Sequence, residues 1–396
     1  MTKNSLKNGP DELGYYGEGE SAMGGMAVGE TLMPALHELN LAFEDAIKDK
    51  AFLDEFAYYC KHYIGRPSPL YHAENLSNKL GGAKILFKQE HLNHTGSHKI
   101  TNSLFQVLLA KRMGKKNLIC ESGAGQHYSA TAAVAAKFGI PLIGVMGEVD
   151  IKRVNQNIIK AKHYGAKLKA VPGTLKEAIT DAIKTWITNP DYYYVCGSAV
   201  SSFPFPKIVQ FAQSIIGRET REQCLEQEKK LPDMLIACCG GGSNLIGMIH
   251  EFLDEPNIKK IGVEAAETAA LTHGTPNIMQ GMKSYMLASS DGSKSLGGSS
   301  LGAGIQYFGV GPQHSYLKDQ GAVTYTSATD KEILNAYKVV AQTEGISSAL
   351  EPMAAAAEVL KQAKGKPKDF IIVLSLCGRG EKDLDTIEEH MGKDFE

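Results

Sequence analysis

From about residue 83 the chain alternates short apolar runs with longer stretches in which apolar positions recur every three or four residues. In order it reads AKILFK, a helix pattern over 99–113, NLICE, a helix over 127–138, PLIGVM, a helix over 151–164, AKLKAV and a helix over 174–187. The alternation resumes with a helix over 207–226, the strand DMLIACC, a helix over 244–254, the strand KKIGVEA, helices over 329–343 and 351–364, and the strand FIIVLSL. Unbroken short apolar runs predict buried strands and the 3.6-residue period predicts amphipathic helices. Strands alternating with helices build a parallel sheet with crossover helices, an α/β fold. The stretch 271–313 departs from this rhythm, being rich in Gly, Ser and Asn, and is expected to be a long functional excursion that lines or covers a site.

At 396 residues the chain exceeds the roughly 250–300 residues at which single cores stop growing, so two α/β domains are expected. A charged fraction of 22% and a hydrophobic fraction of 43% are those of an ordinary packed protein. The net charge is -2 and basic residues are scattered, which excludes the electrostatic footprint of a nucleic-acid binder and leaves small molecules as substrates. Residues 1–30 lack an apolar core or an Arg-rich amphipathic pattern, and no run approaches the ~18–20 apolar residues that span a bilayer, so a cytoplasmic protein is expected. The 7 cysteines show no CxxC spacing and are read as reduced, with Cys238 and Cys239 as small buried residues at a strand end.

Four segments carry candidate chemistry. His94-Thr95-Gly96-Ser97-His98-Lys99 is turn-like and runs into a helix start, from which Lys99 would project. A lone lysine is usually a solvated charge, and His91, His94 and His98 lack carboxylate or thiolate partners at ligand spacing, so no metal is assigned. Gly240-Gly241-Gly242-Ser243-Asn244 follows a strand and precedes a helix. Its glycines would let backbone N–H groups approach an anion, with Ser243 and Asn244 capping the helix. A plain turn needs one glycine, and neither a Walker A motif nor G-x-G-x-x-G occurs, which favours a compact monophosphate. Glu121-Ser122-Gly123-Ala124-Gly125-Gln126-His127 is another strand-to-helix turn, suited to a substrate carboxylate with a titratable group beside it; a simple capping carboxylate is the alternative. Cys377, in SLCGRG, sits at the end of the last strand, and the absence of G-x-S-x-G removes a serine-hydrolase elbow.

Together with GETLMPAL at 29–36, GRPSPLY at 65–71, LLAKRMGK at 108–115, GVGPQH at 309–314, EGISSALE at 344–351 and GRGEKD at 378–383, these segments resemble the tryptophan synthase β-subunit family of fold-type II pyridoxal-phosphate enzymes, over nearly the whole chain. The resemblance implies a lyase that joins L-serine and indole into L-tryptophan by β-replacement. It implies Lys99 as the Schiff-base lysine and Glu121 as the acid/base group. His98 and Gly240, Gly241, Gly242, Ser243 and Asn244 would hold the cofactor phosphate, Glu351 would lie near the pyridine ring and Cys377 would face its nitrogen. Ser122, Gly123, Ala124, Gly125, Gln126 and His127 would bind the amino-acid carboxylate. It implies an N-terminal domain of 1–64 and 98–212, with a mobile subdomain about 114–200, a C-terminal domain of 65–97 and 213–396, and a cofactor site between them. It further implies a homodimer with an α-subunit as candidate partner, and leaves a monovalent cation, Na or K, as an open cofactor.

Several positions depart from the family pattern. Cys377 stands where serine is usual, and a thiol is the weaker hydrogen-bond partner. Gln306 replaces an aspartate that meets the serine hydroxyl and an arginine matching Arg153. Gln280 replaces an aromatic or histidine near the indole pocket, Ser201-Ser202-Phe203-Pro204 replaces Gly-Pro-His-Pro, and Tyr128 follows His127 where glycine is usual. A different donor or acceptor, such as phosphoserine or serine deamination, therefore stays open beside tryptophan formation. A binding protein without chemistry would have no need to keep Lys99, Glu121 and the Gly240–Asn244 loop together.

Overall fold

A computed structural model describes Leu6 and residues 9–152, 155–289 and 294–395. By its internal contacts the chain forms two compact units, one of Val28–Pro67 with Asn93–Gly197, the other of Met1–Ala27, Ser68–Leu92 and Ser198–Glu396. Both are α/β units with parallel-rich sheets, as the alternating pattern predicts.

In the smaller unit four parallel strands lie in the order Lys167–Val171, Leu142–Gly147, Asn117–Glu121, Tyr192–Tyr194. The helices Gln126–Phe138, Asn155–His163 and Leu175–Thr188 make the crossovers. The last starts from a reciprocal Thr174/Glu177 capping box, the first stops at Gly139 in the left-handed region. Helix Lys99–Arg112 is buried from Ile100 to Ala110, its Phe105 ring meeting Phe43, Phe52 and Phe56 edge-on at 6.0, 5.5 and 5.3 Å. Its polar residues Thr101, Asn102, Ser103 and Gln106 are thus buried too, and each must find a partner inside the protein.

In the larger unit a six-stranded sheet runs Thr324–Ala328, Lys259–Ala265, Met234–Cys238, Ile371–Ser375, Lys84–Lys88, Leu70–His72, parallel except for the last pair. Its central strands MLIAC and IIVLS are buried at every position, which is why they read as unbroken apolar runs rather than alternations. Helix Leu350–Gln362 packs on one face with Leu350, Met353 and the alanines 354–357 in the core.

Three sequence expectations need revision. The single helix over 207–226 is two, Phe205–Gln213 and Ile215–Glu228, broken where the Ser214 hydroxyl donates to the Gln210 carbonyl. The excursion 271–313 contains a regular hairpin, Thr275–Met279 with Met282–Met286, turned by Gln280 and Gly281, both at positive φ. Tyr15–Tyr16 and Met23–Gly24, which the sequence reading did not mark as strands, pair with each other and, through Gly24, with Lys283 of that hairpin. Helix Phe205–Gln213 packs on helix Ser243–Ile249.

Candidate functional site

In the smaller unit, Lys99 is the first residue of its helix and His98, buried, is the N-cap. The Lys99 Nζ donates to the Gly197 carbonyl at 2.9 Å. Glu121 ends the central strand, and its Oε1 accepts the Gly197 N–H at 2.9 Å. One peptide residue therefore holds both groups. Burial pushes the Glu121 carboxyl up, with the Gly197 N–H pulling partly against it. Its Oε2 and the Ser97 hydroxyl are buried without a hydrogen-bond partner.

The turn after Glu121 is ordered by Ser122 N–H donating to Val145 O and by Asn157 donating to the Ala124 carbonyl at 2.9 Å, with Gly125 in the left-handed region and Gly123 against Leu175. Gln126 and His127 open the helix that follows. The His127 ring is buried, and burial pushes it down to about 3 so that it is neutral. Its Nε2 lies 2.8 Å from the Val195 carbonyl and donates to it, while Nδ1 faces the hydroxyls of Thr131 and Ser103 at 3.4 and 3.5 Å. A Cβ on Gly197 would run into this ring. Asn102 and Gln106 pin the next residue: both donate to the Cys196 carbonyl, at 2.8 and 2.7 Å, and Gln106 Oε1 accepts the Cys196 N–H at 3.0 Å.

In the larger unit the Gly240–Gly242 turn follows strand Met234–Cys238. A Cβ on Gly240 would stand 2.8 Å from Gly304 O, one on Gly241 would overlap the Ser198 hydroxyl, and one on Gly242, at φ +94, would overlap the His314 ring. The loop is thus a cradle that admits no side chain. His314 Nε2 donates to the Gly242 carbonyl at 2.8 Å and Tyr325 OH donates to Nδ1 at 2.9 Å; burial lowers this imidazole to about 4. Neither Ser243 nor Asn244 caps helix Ser243–Ile249 as expected, the N-cap being Gly242. Asn244 instead accepts from Ser375 Oγ at 2.7 Å and points its amide at Cys238 Sγ, 3.8 Å away. Cys377 is a buried cysteine whose Sγ lies 3.5 Å from Cys238 Sγ. Glu351 accepts Gly304 N–H at 2.7 Å and pairs with Lys382 at 3.0 Å; burial, the largest single influence, raises its carboxyl, but the Lys382 charge and hydrogen bond together with the backbone N–H donors hold it below the usual range. Gln306 donates to Gly298 O at 3.1 Å and Gln280 to Tyr307 OH at 3.3 Å. Arg153 lies outside the described residues.

These donors fit pyridoxal phosphate: a primary amine at a helix start, a side-chain-free glycine cradle opening a helix for the phosphate, and buried oxygens of Glu121 and Ser97 left unpartnered. Asn102, Gln106, Gly197 and His314 carry supporting roles that the motif reading missed. A signal existed for the first two, since Lys99, Asn102, Ser103 and Gln106 form a polar stripe at helical spacing through an otherwise apolar helix.

The family described as pyridoxal-phosphate dependent enzyme matches residues 62–378. The chain is 48% identical over 401 residues, covering 98% of each protein, to the tryptophan synthase beta chain of Allorhizobium ampelinum. It is 47% identical over 404 residues, 99% of this chain and 98% of the relative, to that of a Methylobacterium species.

Proposed function

The chain belongs to the pyridoxal-phosphate-dependent enzymes and, within them, to the tryptophan synthase β-chain family, and on that premise we propose that it condenses L-serine with indole to L-tryptophan and water. The observation that carries the reading is the meeting of Lys99 and Glu121 at one residue, each 2.9 Å from the Gly197 backbone. Pyridoxal phosphate, when bound, supplies the carbonyl that takes Lys99 or the substrate amine and the electron sink for the charge left at serine Cα.

The chain's own groups do the rest. The Lys99 amine would take the serine α-proton as a general base and return it to Cα of the product. Backbone N–H groups of Gly123 to His127 would hold the substrate carboxylate, the Ser122 N–H being spent on Val145 O, and His127 acts there through its backbone, its ring being engaged with Val195. Glu121, its carboxyl raised by burial, gives a proton to the departing β-hydroxyl and afterwards accepts the proton that indole loses as its C3 attacks. Gly240 to Asn244 and His98 would hold the cofactor phosphate, and Cys377 and Glu351, the latter paired with Lys382, would hold its ring. A weak thiol partner in place of a carboxylate would favour replacement over transamination.

The proposal also includes a homodimer, an α-chain partner of the kind the relatives' name as a beta chain implies, a monovalent cation and a cytoplasmic location. No helix among the described residues is long and apolar enough to cross a membrane. Gln306, an amide whose nitrogen is turned to Gly298 O, supports a second reading in which the donor is another β-substituted amino acid such as phosphoserine.

The test mixes protein, pyridoxal phosphate and L-serine, then adds indole and assays for tryptophan. Tryptophan formed, with a visible absorption that vanishes in Lys99→Ala, supports the first reading. Turnover with phosphoserine and none with serine moves the weight to the second.

A further inference from the structure

We propose that the Gly197 peptide is the gauge that sets the separation of Lys99 and Glu121, and that Gln106, with Asn102, is the positioning residue that holds it. This rests on the reading of Lys99 and Glu121 as the catalytic pair.

Gly197 offers its N–H to Glu121 and its carbonyl to Lys99, both at 2.9 Å. Neither bond would survive a shift of that peptide by much more than a few tenths of an ångström, because hydrogen bonds of this length weaken steeply with angle and distance. What prevents the shift lies one and two residues upstream. Val195 N–H donates to Ile119 O at 2.8 Å, continuing the sheet next to the strand that ends at Glu121. The Val195 carbonyl is held by the His127 ring. Cys196 is then gripped at both its N–H and its carbonyl by one side-chain amide, that of Gln106, whose nitrogen also donates to Asn102 Oδ1 at 2.8 Å. Asn102 adds a second donor to the same carbonyl.

A buried glutamine is ordinarily explained by finding partners for its polar atoms. Here both ends of one amide close on a single residue, and that residue precedes Gly197, where a Cβ would run into the His127 ring. The helix that carries this clamp is also the helix that begins with Lys99, so the amine and its acceptor are referred to one rigid element. Misplacement of a reacting group by about 1 Å can reduce a rate by around 10²-fold.

The variant is Gln106→Met, close in shape and without hydrogen bonds. With the holoenzyme, kcat for tryptophan formation is expected to fall about 10²-fold while KM for serine changes little. In the cofactor-free full chain, the titration of the Glu121 carboxyl is read by NMR with ¹³C-labelled glutamate and assigned by Glu121→Gln. It is expected to move upward, because the loosened Gly197 N–H no longer favours the carboxylate. The titratable groups facing Glu121, namely Lys99 from its helix, Tyr194 from the neighbouring strand, Cys120 on its own strand and His127 beneath Gly197, are all retained. A role confined to stability would lower the melting temperature and leave that titration in place.

A folded Gln106→Met with wild-type kcat and wild-type Glu121 titration overturns the proposal. Should Gln106→Met not fold, Asn102→Leu removes one of the two donors to Cys196 O and is expected to move both readouts in the same direction by less; no movement in either overturns the proposal equally. A wild-type chain that makes no tryptophan defeats the catalytic reading alone, since the titration in the cofactor-free chain still decides the clamp.

Discussion

Lys99 and Glu121 owe their properties to opposite surroundings. The lysine stays half-exposed at a helix start with a carbonyl to receive its amine, whereas the carboxyl is buried with one backbone donor. Replacing Lys99 by Ala is expected to abolish the visible absorption of the cofactor adduct and to lower tryptophan formation by about 10³-fold or more, with a melting curve close to wild type. Glu264 belongs to the same physical class without touching the site. It accepts the N–H groups of Leu271 and Thr272 and the Thr272 hydroxyl, yet burial pushes it up to about 7. Between the ordinary carboxylate range and pH 7 the folded chain keeps a proton that the unfolded chain has lost, so Glu264 withdraws stability as pH rises through that window and no more above it. Glu264→Gln is expected to gain on wild type by roughly 3 kcal/mol between pH 4.5 and 7.5, read from denaturant midpoints at the two pH values; a pH-independent difference would refute the buried carboxyl.

At the scale of elements, the exchange of glycine for Tyr128 after His127 shows how a departure from a family pattern is accommodated. The Tyr128 ring is fully buried and lies on Gly144 of strand Leu142–Gly147, where a Cβ would overlap it. Helix and strand fit because the bulk on one is matched by a missing side chain on the other. Gly144→Ala should therefore destabilise by about 2 kcal/mol through overpacking, and Tyr128→Gly in the same chain should recover part of that loss, a coupling that a double-mutant cycle measures. Tyr128→Phe is expected to cost nothing or to stabilise, because the hydroxyl is buried without a partner. The element boundaries that the sequence misplaced have equally local causes. Ser214 bends one predicted helix into two by bonding back to Gln210, and the Gln280-Gly281 turn makes a hairpin from residues whose composition reads as loop.

For the whole molecule, binding of the proposed cofactor is expected to stabilise the folded chain. At a thousandfold excess over its dissociation constant the gain is about 4 kcal/mol. Hydrogen exchange with and without pyridoxal phosphate should then show slowed amides around 97–127 and around 239–244 together. Unchanged exchange around 239–244 would remove the glycine turn from the phosphate reading. Cys377 Sγ lies 3.5 Å from Cys238 Sγ in the core of the larger unit, where both pack as small buried residues.

The sequence by itself determined the α/β class, the order of strands and helices, the Lys99, Glu121 and Gly240–Asn244 segments, and their resemblance to a cofactor family. These are written in local periodicity and in contiguous motifs, where neighbours in the chain decide the outcome. Only the tertiary structure decided that Gly197 receives both Lys99 and Glu121, that Gln106 and Asn102 grip Cys196, and that the His127 ring faces Val195. It alone decided that Asn244 turns from capping to Ser375, and that Gly24 pairs with Lys283 of a hairpin more than 250 positions away. Such pairings come from separate segments brought to one place by burial, and a buried polar atom takes whichever partner the packing sets beside it.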